Sequence, residues 1–380
     1  MNGTVTLTPL HGIPEVCPGD DLADLLDAGL RASGLTLLDG DVVVVSSKVA
    51  SKALGLVTDD VDRERVVAGE TDRVVAERRA GDRLTRIVKA KAGPVMAAAG
   101  VDGSNTGERG GLLLLPHDPD QVCEQLHDAL TRRHGVRLGV VLSDTAGRPW
   151  RVGQVDFALG AHGLHVLDDL RGGVDADGRD LSVTARALAD EIAAAADLVK
   201  GKVLGVPAAV VRGLTDVVVD DVAREVTGEA PDGAADEAAA EAAGAATDRR
   251  GTPPGARDLV RTGRDDWFGH GRVEAVRAAL GAPPGSDLAL EVGIPPVGPE
   301  TRAEAVARAV RLALALDDEA TADVGEASVT LGADSPYELG RLVARLQAAL
   351  WCDGLAGDPA VPAADGCSVV VQVTQVGPVG

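Results

Sequence analysis

The chain has 380 residues, with 37 basic against 59 acidic side chains and a formal net charge of −22, and it carries only three Trp, two Phe and one Tyr. That length corresponds to two or three domains with ample apolar residues for a core. The acidic balance argues against non-specific nucleic-acid binding, which needs a basic surface, and so few aromatics leave little for base stacking.

The longest apolar runs, Val42–Val45 and Leu112–Pro116, fall far short of the roughly 20 residues that cross a bilayer. Met1-Asn2-Gly3-Thr4 lacks the basic and then apolar regions of a signal peptide. Cys17, Cys123, Cys352 and Cys367 lie far apart with no Cys-x-x-Cys pair, the pattern of reduced, mostly buried thiols. A soluble cytoplasmic protein with no membrane partner is expected. Lysine is scarce, six residues in all, yet Lys48, Lys52, Lys89 and Lys91 fall within one 44-residue stretch. In so acidic a chain that cluster reads as an anion site or as a solvated face.

Val5–Leu7 is a short strand candidate, followed by a turn at Gly12-Ile13-Pro14-Glu15. Leu22, Leu25, Leu26 and Leu30 give Asp21–Ala32 helical spacing. Asp41–Ser47 is a β-branched run suited to a strand buried on both faces. Residues 61–91 place Val, Ala and Leu at helical spacing among charges, which predicts helix. A glycine-rich loop, Gly100–Gly111, leads into a strand candidate at Gly111–Pro116, a helix at Asp120–Arg133 and a strand at Val136–Ser143. That strand ends in a polar loop, Asp144–Trp150. A helix at Leu188–Leu198 and a strand at Ala208–Arg212 follow.

Glu229–Arg250 is nearly all Ala, Gly, Glu and Asp, the composition of a flexible linker or a solvated helix. The expected organisation is a domain over 1–228, a linker over 229–256 and a smaller α+β unit over 257–380. The last has helix candidates at Arg302–Leu316 and Pro336–Leu350, and strands near Leu288–Val292, Ala327–Leu331 and Ser368–Val373. Ser335-Pro336-Tyr337-Glu338 carries a helix-start signature, with Ser at N-cap, Pro at N1 and Glu at N3.

No Walker loop, dinucleotide glycine fingerprint, nucleophile elbow or His-Glu-x-x-His motif is present. What remains is polar loops at strand ends. Ser47-Lys48-Val49-Ala50-Ser51-Lys52 offers hydroxyls and two ammonium groups to phosphate oxygens, or is simply a solvated turn. Asp102-Gly103-Ser104-Asn105 is ordinary turn chemistry taken alone. With Asp144-Thr145 it supplies two carboxylates and a hydroxyl, donors that suit Mg²⁺ or Mn²⁺. The combination points to nucleotide-dependent chemistry by positioning and charge neutralisation.

Six segments in order resemble the coenzyme F420-0:γ-glutamyl ligase family over about residues 5–215. They are Gly12–Glu15, Ser46–Lys52, Ala98–Asn105, Ser143–Gln154, Asp190–Lys202 and Val210–Gly213. The resemblance implies an α+β fold with mixed, largely antiparallel sheets and an intertwined homodimer. It implies an enzyme that uses GTP and a divalent metal, Mg²⁺ or Mn²⁺ with K⁺ as a candidate further cation, to attach L-glutamate to F420-0 through an acyl phosphate. By motif position, Asp102 and Asp144 would ligate a first metal, Thr145 would serve a second and Asn105 would contact GTP. Ile13, Pro14, Glu15, Val16, Ser47, Lys48 and Lys52 would line the GTP site. At the position where archaeal relatives carry an acidic second-metal residue, this chain has Lys202. Arg148 and Arg151 are candidates for the substrate phosphodiester or glutamate carboxylates, with surface or inter-loop ion pairs as the alternative.

Arg257 to Ala275 resembles the junction into the FMN-binding, nitroreductase-like domain of some bacterial fusions, but the remaining length is short for that fold. The second unit is expected to be a small module that binds substrate tails or a partner. The alternatives are a divergent FMN-dependent dehydro-F420-0 reductase domain and, for the whole chain, a non-catalytic deazaflavin or nucleotide binder.

Overall fold

The computed structural model describes residues 3–80, 83–106, 110–201, 205–219, 255–262, 266, 268–296 and 300–376, with backbone alone at 79, 80 and 83. The expected linker therefore lies outside the described residues except at 255 and 256, and Lys202 lies outside them too. The chain divides into two compact units, 1–71 with 90–261, and 72–89 with 262–380. Both are α+β, built on mostly antiparallel sheets. Among the described residues, no helix is long and apolar enough to cross a membrane.

The first unit runs in chain order through β1 (Thr6–Pro9), α1 (Leu22–Ala32), β2 (Asp41–Ser46), α2 (Ser47–Ala53), β3 (Val57–Thr58) and α3 (Arg63–Gly69). Strands β4 (Thr71–Ala80) and β5 (Arg83–Ala90), which but for Thr71 and Ala90 belong to the second unit, come next in the chain, and the first unit resumes with β6 (Val95–Ala97), β7 (Leu112–Leu113) and α4 (Pro119–His134). It closes with β8 (Leu138–Arg148), β9 (Arg151–His162), β10 (Asp168–Asp169), β11 (Ala185–Arg186), α5 (Leu188–Asp197) and β12 (Ala208–Arg212). Its main sheet has the order β1-β12-β2-β8-β9. All neighbours are antiparallel except β2 and β8, which run parallel from Asp41↔Leu138 to Ser46↔Ser143.

The continuous valine run of β2 follows from that central place. Val42–Val45 are all at most 1 % exposed, and burial of each such side chain is worth about 1.5–3 kcal/mol. Val42, Val44 and Val141 pack with Ala189, Ile192 and Ala193 of α5 in one core cluster, while α4 packs against β8 and β9. Asp21 caps α1 by accepting from the amides of Ala23 and Asp24. Gly135, at φ 64°, ends α4 in the left-handed region.

Buried Asp120, in the first turn of α4, accepts from the amides of Ala161 and Ala256, each at 2.8 Å, and from Arg257 Nε at 2.7 Å. This carboxylate ties residues 255–257 to the first unit.

Several local expectations are corrected here. Residues 61–91 are not one helix: α3 ends at Gly69 and the chain continues as β4 and β5. Val75 and Glu77 are buried two apart, the period of a strand, and a carboxylate at an inward position masks the apolar alternation. Arg86 pairs with that buried Glu77 at 2.6 Å. The presumed turn after β2 is the helix α2, whose small inner residues Ser47, Ala50 and Ser51 are buried at helical spacing. The presumed loop 144–150 is mostly strand, because β8 continues to Arg148 and turns back at Pro149-Trp150 into β9.

In the second unit, α6 (Arg272–Ala279), α7 (Asp287–Glu291), α8 (Arg302–Leu314) and α9 (Pro336–Cys352) accompany β13 (Thr321–Val324), β14 (Ser328–Gly332), β15 (Leu355–Pro359) and β16 (Ser368–Gln375). The antiparallel sheet β13-β14-β16-β15 puts Val329, Leu331, Val369, Val371 and Val373 against Val306, Val310, Leu342 and Leu346. Ser335 caps α9 through the Glu338 amide. The strand expected at Leu288–Val292 is α7, started by Ser286, since a short apolar run does not distinguish the two periods. All four cysteines are free, but only Cys123 is buried. Cys17 is exposed in the turn before α1, where its amide is held by Asp20.

A Cβ at Gly160 of β9 would lie 2.4 Å from the Pro119 carbonyl oxygen at the start of α4. Gly160→Ala is therefore expected to lower stability by about 1–3 kcal/mol, the usual cost of overpacking, measured by urea denaturation.

Candidate functional site

The parallel register of β2 and β8 ends at Ser46↔Ser143. Beyond it, α2 leaves one strand while β8 continues with β9. A cavity of 380 Å³ opens there, lined by Ile13–Val16, Ser46, Lys48, Val49, Lys52, Asn105, Ser143–Thr145, Asp156, Asp197, Lys200 and residues 201 and 205–207.

Lys48 and Lys52 stand four apart on α2, the spacing that puts two side chains on one helix face. The Lys48 ammonium bonds Asp102 and also donates to Ser104 Oγ at 2.7 Å. Lys52 bonds Glu15. Asp102 is held in place by Ser104, whose amide and hydroxyl donate to it at 2.8 and 2.9 Å. Burial raises the Asp102 carboxyl, but Lys48 and Ser104 outweigh it and hold the group below the usual carboxylate range.

Asp144 and Thr145 are consecutive on β8 and so face opposite sides of the strand. Both line the cavity. Asp144 accepts from Ser47 Oγ at 3.2 Å. Burial pushes its carboxyl up to about 6, only partly offset by the Thr145 amide, Ser47 and Lys48, while Asp156 adds a like charge. Thr145 sits directly opposite Asp156 on β9 and donates to Asp156 Oδ1 at 2.6 Å.

Asp156 and Lys200 form an ion pair at 2.8 Å with side chains only 5 % and 4 % exposed. Ser143 Oγ donates to Asp156 Oδ2 at 2.9 Å and accepts from Lys200 at 2.6 Å. Burial raises the Asp156 carboxyl, yet Lys200, Thr145 and Ser143 together hold it below the usual range. A register shift in the ladder at Leu142/Ser143 bends the strands beside these residues.

The structure thus brings together Ile13, Pro14, Glu15, Val16, Lys48, Lys52, Asn105, Asp144 and Thr145. Ser47 and Asp102 join them through their bonds to Asp144 and Lys48. Arg148 and Arg151 are exposed on either side of the hairpin turn and are not among the lining residues. Ser143, Asp156 and Lys200 carried no role in the sequence reading. Asp156 follows Val155 in a largely apolar strand, and Lys200 is one of few lysines, but neither belongs to a motif that announces a paired function.

The donor chemistry fits a hard divalent cation. Carboxylate, hydroxyl and amide oxygens of Asp144, Thr145 and Asn105 border one cavity, and the desolvated Asp144 carboxylate lacks a full counter-charge. No group of three or more His, Cys, Asp or Glu is arranged around a metal position among the described residues, so water or phosphate oxygens would complete the shell.

This is an α+β protein whose cavity faces ammonium groups on one helix toward carboxylates at a strand end. The F420-0:Gamma-glutamyl ligase family model matches residues 12–213, a span that includes every lining residue. The chain belongs to that family. It is 40% identical over 225 residues to the coenzyme F420:L-glutamate ligase of Archaeoglobus fulgidus, covering 55% of this chain and 88% of that protein. It is 36% identical over 229 residues to the protein of the same name from Methanothermobacter thermautotrophicus, covering 55% and 89%. For the Methanopyrus kandleri protein the identity is 37% over 230 residues, covering 56% and 88%.

Removing one member of a buried ion pair strands the other charge. Lys200→Met is expected to cost about 3–5 kcal/mol at neutral pH, read from urea unfolding. Because the Asp156 carboxyl is held low in the folded state, the pair's contribution in the parent protein is present at neutral pH and is lost as pH falls through that lowered value.

Proposed function

We propose that this chain is an acid–amino-acid ligase that adds L-glutamate to coenzyme F420-0, with GTP and a divalent cation, Mg²⁺ or Mn²⁺. The names of the relatives supply the substrates, and the cavity supplies the chemistry. A carboxylate acylates poorly until one oxygen becomes a leaving group. The acceptor's terminal carboxylate oxygen attacks the γ-phosphorus of GTP, the bond to the β-phosphate oxygen breaks, and GDP leaves. The glutamate amine then attacks the acyl carbon, the bond to the phosphate oxygen breaks, and amide and phosphate result with loss of the amine proton.

Lys48 and Lys52 neutralise phosphate charge, which during phosphoryl transfer is spread over the transferred group. The ligand's phosphates replace Asp102 and Glu15 as partners of the two ammonium groups. With Thr145 at a second metal position, Asp102 and Asp144 would hold a divalent cation. When bound, it offsets negative charge on the phosphates and the acyl group. Ile13–Val16 and Asn105 border the same cavity and line the nucleotide. We extend the reading to a homodimer only as the family's implied assembly.

The observation that carries this reading is the convergence, on one cavity, of two lysines from one helix with the Asp144-Thr145 pair and Asn105. Mass spectrometry of F420-0 incubated with the protein, GTP, L-glutamate and Mn²⁺ tests it. A product heavier by whole glutamyl units, absent without GTP or metal, is the expected result. An unchanged acceptor that still binds would move the reading to a binding protein. Asp144→Asn is expected to abolish product while leaving the thermal melt in place; near-parental ligation by that variant would remove Asp144 from the cation site.

A further inference from the structure

The buried Asp156–Lys200 pair lines the cavity but takes no part in the chemistry above. Its geometry decides something about Thr145. A hydroxyl has one proton to donate and two lone pairs to offer, and an ionised carboxylate can only accept. Asp156 has Lys200 Nζ at 2.8 Å on Oδ2 and Thr145 Oγ1 at 2.6 Å on Oδ1. The Thr145 proton is therefore spent on Asp156, and the lone pairs of Oγ1 are left for the cavity. Ser143 is committed in the same way, its proton to Asp156 and a lone pair to Lys200.

Cross-strand pairing reinforces the arrangement. Thr145 and Asp156 are direct partners in the β8–β9 ladder, so the sheet sets their separation. Lys200 enters from beyond α5 and is 4 % exposed. Its ammonium group pairs with the Asp156 carboxylate at 2.8 Å, so the group that orients Thr145 is itself charge-compensated.

We infer that Asp156, neutralised by Lys200, is a positioning residue that makes the Thr145 hydroxyl an oxygen donor to a hard divalent cation and not a hydrogen-bond donor. This rests on the proposed cation site and assigns the control of its hydroxyl ligand to a pair outside it. Groups that hydrogen-bond to a metal's ligands commonly govern affinity by about 10–100-fold.

The test is Mn²⁺ binding alone, titrated by electron paramagnetic resonance of the free ion on the purified full chain, without nucleotide or acceptor. Asp156→Asn substitutes an amide that can donate to Thr145 and turn its proton into the cavity, and is expected to weaken Mn²⁺ about tenfold or more. Thr145→Val should match that loss and Thr145→Ser should retain affinity. The double variant Asp156→Asn with Thr145→Val should bind no more weakly than Thr145→Val alone, since residues acting through one contact are not additive.

Should Asp156→Asn not fold, the paired apolar replacement Asp156→Leu with Lys200→Met releases the same hydroxyl without stranding a charge, and the same loss is expected. Parental Mn²⁺ affinity in either folded variant, beside a parent that binds Mn²⁺ and ligates, overturns this inference alone. A parent that neither binds Mn²⁺ nor ligates overturns the cation reading beneath it.

Discussion

The parallel pairing of β2 with β8 is the constraint from which the candidate site follows. Parallel strands deliver their C-terminal ends to the same edge of a sheet. Here the last pair is Ser46↔Ser143, so the first residues beyond each strand, Ser47 and Asp144, emerge side by side and their side chains bond. One strand gives way to a helix carrying Lys48 and Lys52. The other continues and carries Asp144 and Thr145. Slipping one strand past the other by one residue would invert the faces of that strand alone, parting the ammonium groups from the carboxylates. The valine run that holds β2 at the centre of the sheet is therefore part of the site's construction.

The second constraint is charge balance in a desolvated space. Lys48 is matched by Asp102, Lys52 by Glu15 and Lys200 by Asp156. Burial leaves the Asp144 carboxyl raised, whereas Asp102 and Asp156 are held low by their partners, because Ser47 and Lys48 do not replace the water that Asp144 has lost. The carboxylates of the first two pairs are partly open to solvent, Asp102 at 38 % and Glu15 at 64 % exposure. The third is buried on both sides, and its bonds run inward to Ser143 and Thr145. Ion pairs of two kinds thus border one cavity, two with a solvent-exposed carboxylate and one buried on both sides.

Much of this was legible in the chain. Val42–Val45 could be read as a buried strand because their burial on both faces requires no polar residue. Asp144 and Thr145 could be singled out because a polar pair abruptly follows an apolar strand. The six ordered segments pointed to the family, which the match over residues 12–213 bears out. Helix α2 was not legible: its inner face is Ser47, Ala50 and Ser51, too small and polar to register as a hydrophobic stripe. The hairpin through Arg148 and Arg151 was missed because its polar residues resemble a loop until the partner strand supplies the ladder.

The sequence by itself determined that Val42–Val45 would be buried, where α1, α4, α5 and α9 form, and which family the chain resembles over about residues 5–215. Those properties depend on local periodicity, capping and short motifs, all of which are written within a few neighbouring residues. Only the tertiary structure decided that Asp156 would stand opposite Thr145 and that Lys200, 44 positions away, would neutralise it. Such a contact depends on strand register and on where a distant helix ends. The free energy that selects it is the cost of leaving a carboxylate and an ammonium group buried apart, which becomes payable only once the sheet has closed.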